Sequence, residues 1–202
     1  MRAVLHFVAS VMMVSGVLLI ADAGVTLAWQ EPISAFQTER EQAELENDFE
    51  TPPARVLQRK PLPGDSIGKI ELPTLDRSYY IVEGVKPGDL RKGPGHYDDT
   101  PLPGDRGTTA IAGHRTTFGA PFRKIDKLEK GDEIRLEMTY ATLTYRVEKT
   151  RIVRPDQTEV KNKVAYNRLI LSACHPLYSA AERIVVFARQ VGRDRARVKR
   201  RS

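Results

Sequence analysis

Cysteine is nearly absent from this chain, which has one in 202 residues. A single cysteine excludes an intrachain disulfide, and in an exported protein an unpaired cysteine indicates a reactive thiol. The ordinary alternative is a small buried hydrophobic residue. This cysteine, Cys174, lies beside two apolar runs of strand length at residues 169–173 and 184–188. A catalytic thiol and a packed core cysteine are therefore the two interpretations to compare.

Recognisable metal ligands and a nucleic-acid-binding face are also lacking. The four histidines, the cysteine and the dispersed acids have neither the spacing of a zinc site nor that of an EF-hand. We expect no metal and no cofactor, with an irregular calcium site of loop carboxylates as the one alternative. The net charge is +6, but six of the basic residues crowd into the last ten positions. Such a block is typical of a solvated tail, with contact to anionic wall polymer or lipid as the alternative, and we expect no nucleic-acid partner.

One long apolar run, at residues 3–29, could cross a bilayer of about 30 Å as a helix. Arg2 precedes this run and an acidic segment follows it. The positive-inside rule then predicts a single-pass membrane protein with a cytoplasmic N-terminus and an extracellular body. A cleaved signal peptide is the alternative, because Ala21 and Ala23 have the spacing of a cleavage site.

The composition divides the chain into four parts. Residues 1–29 are the predicted anchor, and residues 30–65, polar and then rich in proline, are predicted to form a stalk that lifts the body off the membrane. Residues 66–192 alternate short apolar runs with glycine and proline, which predicts an all-β closed barrel or sandwich with short helical turns. Residues 193–202 form the basic tail. The predicted strands lie at residues 67–72, 79–82, 108–113, 133–138, 143–153, 168–173 and 183–190.

A strand pairing around the cysteine predicts its surroundings. If the runs on either side of residues 175–182 pair antiparallel, Arg183 lies beside Cys174, where a guanidinium can stabilise a thiolate or a developing oxyanion. Among the histidines, His6 lies in the anchor, and His175 points to the opposite face from its neighbour. His96 could line a groove from a loop. His114 follows the buried run 108–113, a strand exit like that of Cys174, and is the preferred partner.

These tracts resemble the signatures of a known family. The sequences AGHR at residues 112–115 and LSAC at residues 171–174, followed by Arg183, are similar to the His, Cys and Arg motifs of the sortases. The tracts RKGPGHY at 91–97, IAGHRTTFGAPF at 111–122 and CHP at 174–176 resemble the class E sortases of actinobacteria. The resemblance extends over residues 67–191.

The resemblance implies a closed eight-stranded β-barrel and a membrane-anchored cysteine transpeptidase. Such enzymes cleave a sorting signal between Thr and Gly, hold the acyl group as a thioester, and transfer it to an amine of a peptidoglycan precursor or pilin. The implied roles are nucleophile for Cys174, general acid and base for His114, and substrate and oxyanion stabiliser for Arg183.

The same resemblance extends to substrate choice. Class E relatives prefer Leu-Ala-x-Thr-Gly to Leu-Pro-x-Thr-Gly, and Tyr97 is the candidate groove residue for this preference, with loop packing as its alternative role. Ser172 and Ala173, where relatives usually have threonine, are further substrate-binding candidates. Two other functions stay open: an extracellular thiol peptidase or hydrolase, and a non-catalytic module that binds the cell wall.

Overall fold

Eight strands close into a single barrel in the computed structural model, which describes residues 2–28 and 32–196. The order around the barrel is β1-β2-β3-β4-β7-β8-β6-β5. This arrangement confirms the expected closed eight-stranded barrel. The strands are Ser66–Leu72 (β1), Arg77–Glu83 (β2), Gly95–His96 (β3), Gly107–Ala112 (β4), Glu133–Met138 (β5), Ala141–Val153 (β6), Asn167–His175 (β7) and Glu182–Arg195 (β8).

The strands that carry the candidate site are buried on both faces. Leu169, Leu171 and Ala173 of β7 pack into the barrel interior. Ile170 of the same strand packs outside the barrel in a second apolar cluster with Phe187 and other residues. Burial of both faces explains why β7 and β8 are continuous apolar runs rather than alternating ones.

Within the described residues, four α-helices lie outside the barrel wall: Arg2–Ala28 (α1), Pro32–Glu50 (α2), Ala54–Leu57 (α3) and Pro87–Lys92 (α4). Short 3₁₀ turns occur at Pro73–Leu75, Ile125–Lys127 and Thr158–Lys161. Within α1, the 22 residues Val4–Val25 have a mean hydropathy of 2.3, and none of that stretch is buried by the rest of the protein. By length and composition, this helix could cross a membrane.

Helix α2 is part of the body, so the prediction of a stalk over residues 30–65 is wrong for this segment. The Gln42 side-chain amide accepts a hydrogen bond from Tyr80 N (2.7 Å) and donates to Tyr80 O (3.0 Å) and Lys92 O (2.8 Å). Strand β3 reaches β2 only at Val82 and Glu83, so the amide occupies the edge that a longer β3 would have paired. Leu45 of this helix is buried. Composition could not reveal that the polar helix has a partner surface.

The C-terminal end of the last strand also differs from the sequence prediction. Strand β8 continues to Arg195 and pairs with the start of β6, as in the partners Arg193↔Leu143 and Arg195↔Ala141. Residues 193–195 are therefore strand and not the beginning of a solvated tail. The rest of the predicted tail, at residues 197–202, lies outside the described residues, as do Met1 and Trp29 of the predicted anchor.

Candidate active site

The registers of two strand pairs bring the three predicted catalytic residues together. Strands β4 and β7 are parallel with Ala112 opposite Ser172, and Gly113 N continues the pairing by donating to Ser172 O (3.0 Å). Two residues further along each chain, His114 comes beside Cys174. On the other side of β7, the antiparallel partner of Cys174 is Arg183. Cys174 therefore lies between a histidine and an arginine.

All three side chains belong to the outer face of the barrel wall. Side chains alternate between faces along a strand, and Ile170 and Val185 belong to the outer apolar cluster. Cys174 is four residues from Ile170, and Arg183 is two residues from Val185, so both share that face. His114 is four residues beyond Ala110, which belongs to the same cluster. A thiol, an imidazole and a guanidinium on one face can perform acyl transfer, since they supply a nucleophile, a proton carrier and an oxyanion donor.

Close packing behind the histidine fixes the strand exit. A Cβ atom on Gly113 would lie 2.6 Å from Cδ2 of Phe122, a side chain that is fully buried. Only glycine permits this approach. The ring of Phe118 lies 5.0 Å from the His114 ring, and the His114 carbonyl accepts a hydrogen bond from Phe122 N (3.0 Å). The loop after β4 therefore folds back over the imidazole.

Burial lowers the pKa of His114 below its ordinary value of 6.5, because desolvation penalises the charged imidazolium. The imidazole is consequently neutral near pH 7. A neutral imidazole can accept the proton of a thiol, which is the first requirement for a base in acyl transfer.

Arg183 is held by the loop that joins β7 to β8. Its Nη1 group donates to Ala180 O and Glu182 O, each at 2.9 Å. A guanidinium has five N–H donors, so these two bonds leave three for a substrate oxygen. The backbone of Ala180 and Glu182 therefore fixes the Arg183 guanidinium next to the thiol.

A groove extends from the site along the outer face. Tyr97, Ser172 and Arg183 line it, with apolar walls that include Val153 and Ile170. The sequence-based substrate candidates Tyr97 and Ser172 therefore both lie on the groove.

Ala173 does not line the groove. Its side chain is packed in the barrel interior, so the prediction that it contacts substrate is wrong for the side chain. Adjacent residues of an extended strand face opposite ways, and Ser172 and Cys174 already occupy the outer face.

The remaining histidines have other contacts. His96 is buried, with Nδ1 2.9 Å from Glu83 Oε2 and Nε2 3.1 Å from Pro101 O, so its ring does not line the groove. His175 Nδ1 lies 3.2 Å from Nη1 of Arg115. His6 is in α1. Among the described residues, no three His, Cys, Asp or Glu side chains gather as a metal site.

Arg115 is a site residue to which the sequence analysis assigned no role. Its guanidinium is buried and donates from Nη1 to Cys174 O (3.4 Å), while Nη2 donates to Asp126 Oδ1 (2.8 Å). Together with its contact to His175, this ties the exits of β4 and β7 to each other. The sequence shows only an arginine directly after a strand exit and an acid, Asp126, eleven residues later. The contact with the Cys174 carbonyl could not be predicted from it, because that contact depends on the pairing of β4 with β7.

The lowered pKa of His114 predicts an acid-dependent loss of stability. The unfolded chain takes up a proton as the pH falls through about 6.5, whereas the folded chain resists protonation until a lower pH. The stabilisation is therefore complete above that value and is lost below it. Urea unfolding between about pH 7.5 and pH 5 should show a shallower decline for folded His114→Gln than for the parent chain. Parallel curves would contradict this account of the imidazole.

Replacing Arg115 tests the tie between the two strand exits. Lysine keeps a charge for Asp126 but lacks the planar fork whose two Nη groups reach Cys174 O, His175 and Asp126 together. We expect Arg115→Lys to lower the free energy of unfolding by about 1–3 kcal/mol, the cost of lost buried hydrogen bonds to a charged group. Arg123→Lys, in the same loop and more exposed, is the control and should stay within about 0.5 kcal/mol. Equal stability of the two variants would remove Arg115 from this role.

Comparison with known proteins gives a consistent result. The family model described as "Sortase domain" matches residues 70–191. Sortase D of Bacillus subtilis (strain 168) is 37% identical over 136 residues, which are 65% of this chain and 67% of that protein. Sortase SrtE1 of Streptomyces coelicolor is 27% identical over 205 residues, covering 91% of this chain and 56% of the relative. The chain thus spans little more than half the length of that relative.

A solved structure agrees with the sequence matches. The Sortase D5 transpeptidase of Clostridium perfringens superposes with a TM-score of 0.66 at 26% identity, covering 76% of this chain and 98% of that one. The family match covers more than half of the chain and includes both strand exits of the site. The chain belongs to the sortase family of cysteine transpeptidases, with class E sortases among its relatives.

Proposed function

We propose that this sortase is a membrane-anchored transpeptidase that cleaves a C-terminal sorting signal between Thr and Gly and transfers the acyl group to an amine. The observation that carries the proposal is the register of β7, with Cys174 opposite Arg183 on one side and beside His114 on the other. A thiol hydrolase would use the same trio but no amine acceptor. A wall-binding module would need neither.

The first half-reaction forms a thioester. Cys174 Sγ attacks the threonine carbonyl carbon, an S–C bond forms, and the C–N bond to glycine breaks. The thiol proton moves to His114 and then to the leaving glycine amine. The burial-lowered pKa of His114 favours this role, because a neutral imidazole accepts the proton and the resulting imidazolium readily gives it up.

The second half-reaction restores the thiol. An amine of a peptidoglycan precursor or of a pilin attacks the thioester carbon, a new C–N bond forms, and the S–C bond breaks. His114 takes the proton of the incoming amine and returns it to Cys174. Arg183 would stabilise the oxyanion in both halves, through the three guanidinium donors that its bonds to Ala180 and Glu182 leave over.

The groove supports a role in binding the residues before the scissile bond. Its apolar walls suit the leucine of a sorting signal, and Tyr97 and Ser172 lie along its length. The Lys161 ammonium lies 4.6 Å from the centre of the Tyr97 ring and 2.6 Å (Nζ) from Asp99 Oδ2, which stiffens this wall. We propose that Tyr97 favours Leu-Ala-x-Thr-Gly over Leu-Pro-x-Thr-Gly.

The proposed location is the outer surface of the cell membrane. Helix α1 supplies the single span, Arg2 marks the cytoplasmic side, and the catalytic domain, which extends to Arg195 at the end of β8, lies outside. The partners are then surface proteins that carry sorting signals. The apolar composition of Val4–Val25 supports this assignment.

A peptide assay with an added amine tests the function, and Arg183→Lys tests the role of the arginine. The full chain should form an amide product from a Leu-Ala-x-Thr-Gly peptide, in preference to the Leu-Pro-x-Thr-Gly peptide. Lysine retains the charge but loses the planar fork. We expect single-turnover thioester formation by folded Arg183→Lys to fall about a hundred- to thousand-fold, as for loss of an oxyanion donor.

Arg189→Lys is the matched control, since Arg189 lies on the same strand with an exposed side chain bonded to Glu148. It should acylate like the parent chain. Near-normal acylation by folded Arg183→Lys would refute the forked-donor role. Release of acid alone when amine is present would support a hydrolase, and no turnover together with insensitivity to thiol alkylation would support the wall-binding module.

A further inference from the structure

The catalytic end of the barrel lies next to the start of α2, the helix that follows α1 in the chain. Ser34, near the start of α2, accepts a hydrogen bond from Phe118 N (3.3 Å). The Phe118 ring packs at a tilt against the His114 ring, with a centroid distance of 5.0 Å. Thr38, one turn further along α2, donates to Arg91 O (3.3 Å). The first turns of α2 are therefore attached to the loop that covers the catalytic imidazole.

Chain length limits how far this end can lie from α1. Helix α1 ends at Ala28, six residues before Ser34. Six residues span at most about 20 Å even when fully extended. The opposite end of the barrel can be up to ~26 Å further away, the length of β7 from Asn167 to His175 at about 3.3 Å per residue. The chain from α1 therefore joins the body at the catalytic end and not at the opposite end.

The side chains exposed at this end suit a lipid surface. In the loop between β7 and β8, Leu177 and Tyr178 have 40% and 53% of their surface exposed, and Phe36 on α2 has 56%. Arginines accompany the two aromatic rings. Arg123 Nη2 donates to the Tyr178 hydroxyl (3.1 Å), and the Arg40 guanidinium lies 4.9 Å from the centre of the Phe36 ring. Aromatic and apolar groups beside cations are typical of the layer between acyl chains and phosphate head groups.

We infer that the β7–β8 loop, residues 176–181, contacts the membrane surface, with Leu177 and Tyr178 in the interfacial layer and Arg123 at the phosphates. This inference rests on the proposed anchoring by α1. It gives the docked α2 a function, because a helix that is bonded to the barrel a few residues after the anchor limits the distance between the thiol and the bilayer. A flexible stalk would not limit this distance.

Lipid-resident quenching tests the contact directly. In full-length Cys174→Ala, which removes the native thiol, Leu177→Cys carries an environment-sensitive fluorophore. Ala165→Cys is the matched control, because it is exposed at the opposite end of the barrel, just before β7. Each protein is reconstituted in phosphatidylglycerol–phosphatidylethanolamine vesicles that contain a lipid with a nitroxide near its head group. We expect severalfold stronger quenching at position 177 than at position 165.

The outcomes separate this inference from the function on which it rests. If the protein does not float with the vesicles in a density gradient, the anchoring and the inference are both refuted. If the protein floats with the vesicles but quenching is equal at positions 177 and 165, only the loop contact is refuted.

A second measurement, on Leu177→Asp with an intact Cys174, separates lipid contact from peptide binding. Leu177 is exposed and is not among the residues that line the groove, so turnover of a soluble sorting peptide by the detergent-solubilised full chain should stay within about twofold of the parent. A loss of tenfold or more in a folded variant would assign the loop to the peptide and refute the inference.

Discussion

The pairing of β7 with a parallel neighbour on one side and an antiparallel neighbour on the other is the constraint on which the site depends. The parallel partner β4 runs out at the same end of the barrel as β7, and β8 begins there. Because of these directions, His114, Cys174 and Arg183 meet although 69 residues of chain separate the first from the last. A shift of one residue in either register would turn one member of the trio to the opposite face.

Packing at the strand exits protects that register. Phe122 fills the space that a side chain on Gly113 would need, and Arg115 bonds both the Cys174 carbonyl and Asp126. On the outside, α2 attaches the N-terminal segment to the loop over His114. The site is thus fixed from the core, from within the loop and from the anchor side, in keeping with a reaction that needs reacting groups held within a fraction of an ångström.

The sequence predicted the parts of the fold that local patterns determine. Long apolar runs identified β4, β7 and β8, and the neighbours of the single cysteine suggested Arg183 before any family resemblance was considered. Strand β3 was missed because its two residues, Gly95 and His96, pair through backbone alone and leave no periodic pattern. Ala173 was misassigned because the threonine positions of the relatives were carried over to both Ser172 and Ala173, whereas strand alternation leaves only Ser172 on the outer face. The docking of α2 depends on a Gln42 amide matched to the exposed edge of Tyr80, which is a tertiary fit and not a composition.

The central claim is that the acyl group of a sorting signal is carried by the thiol between His114 and Arg183. Brief reaction of the full chain with a sorting peptide, acid quenching and peptide mapping by mass spectrometry measure this directly. The account predicts one adduct, on Cys174, with the mass of the peptide up to and including its threonine, and no adduct or turnover for Cys174→Ala. Turnover by Cys174→Ala, or an acyl group on another residue, would contradict the account.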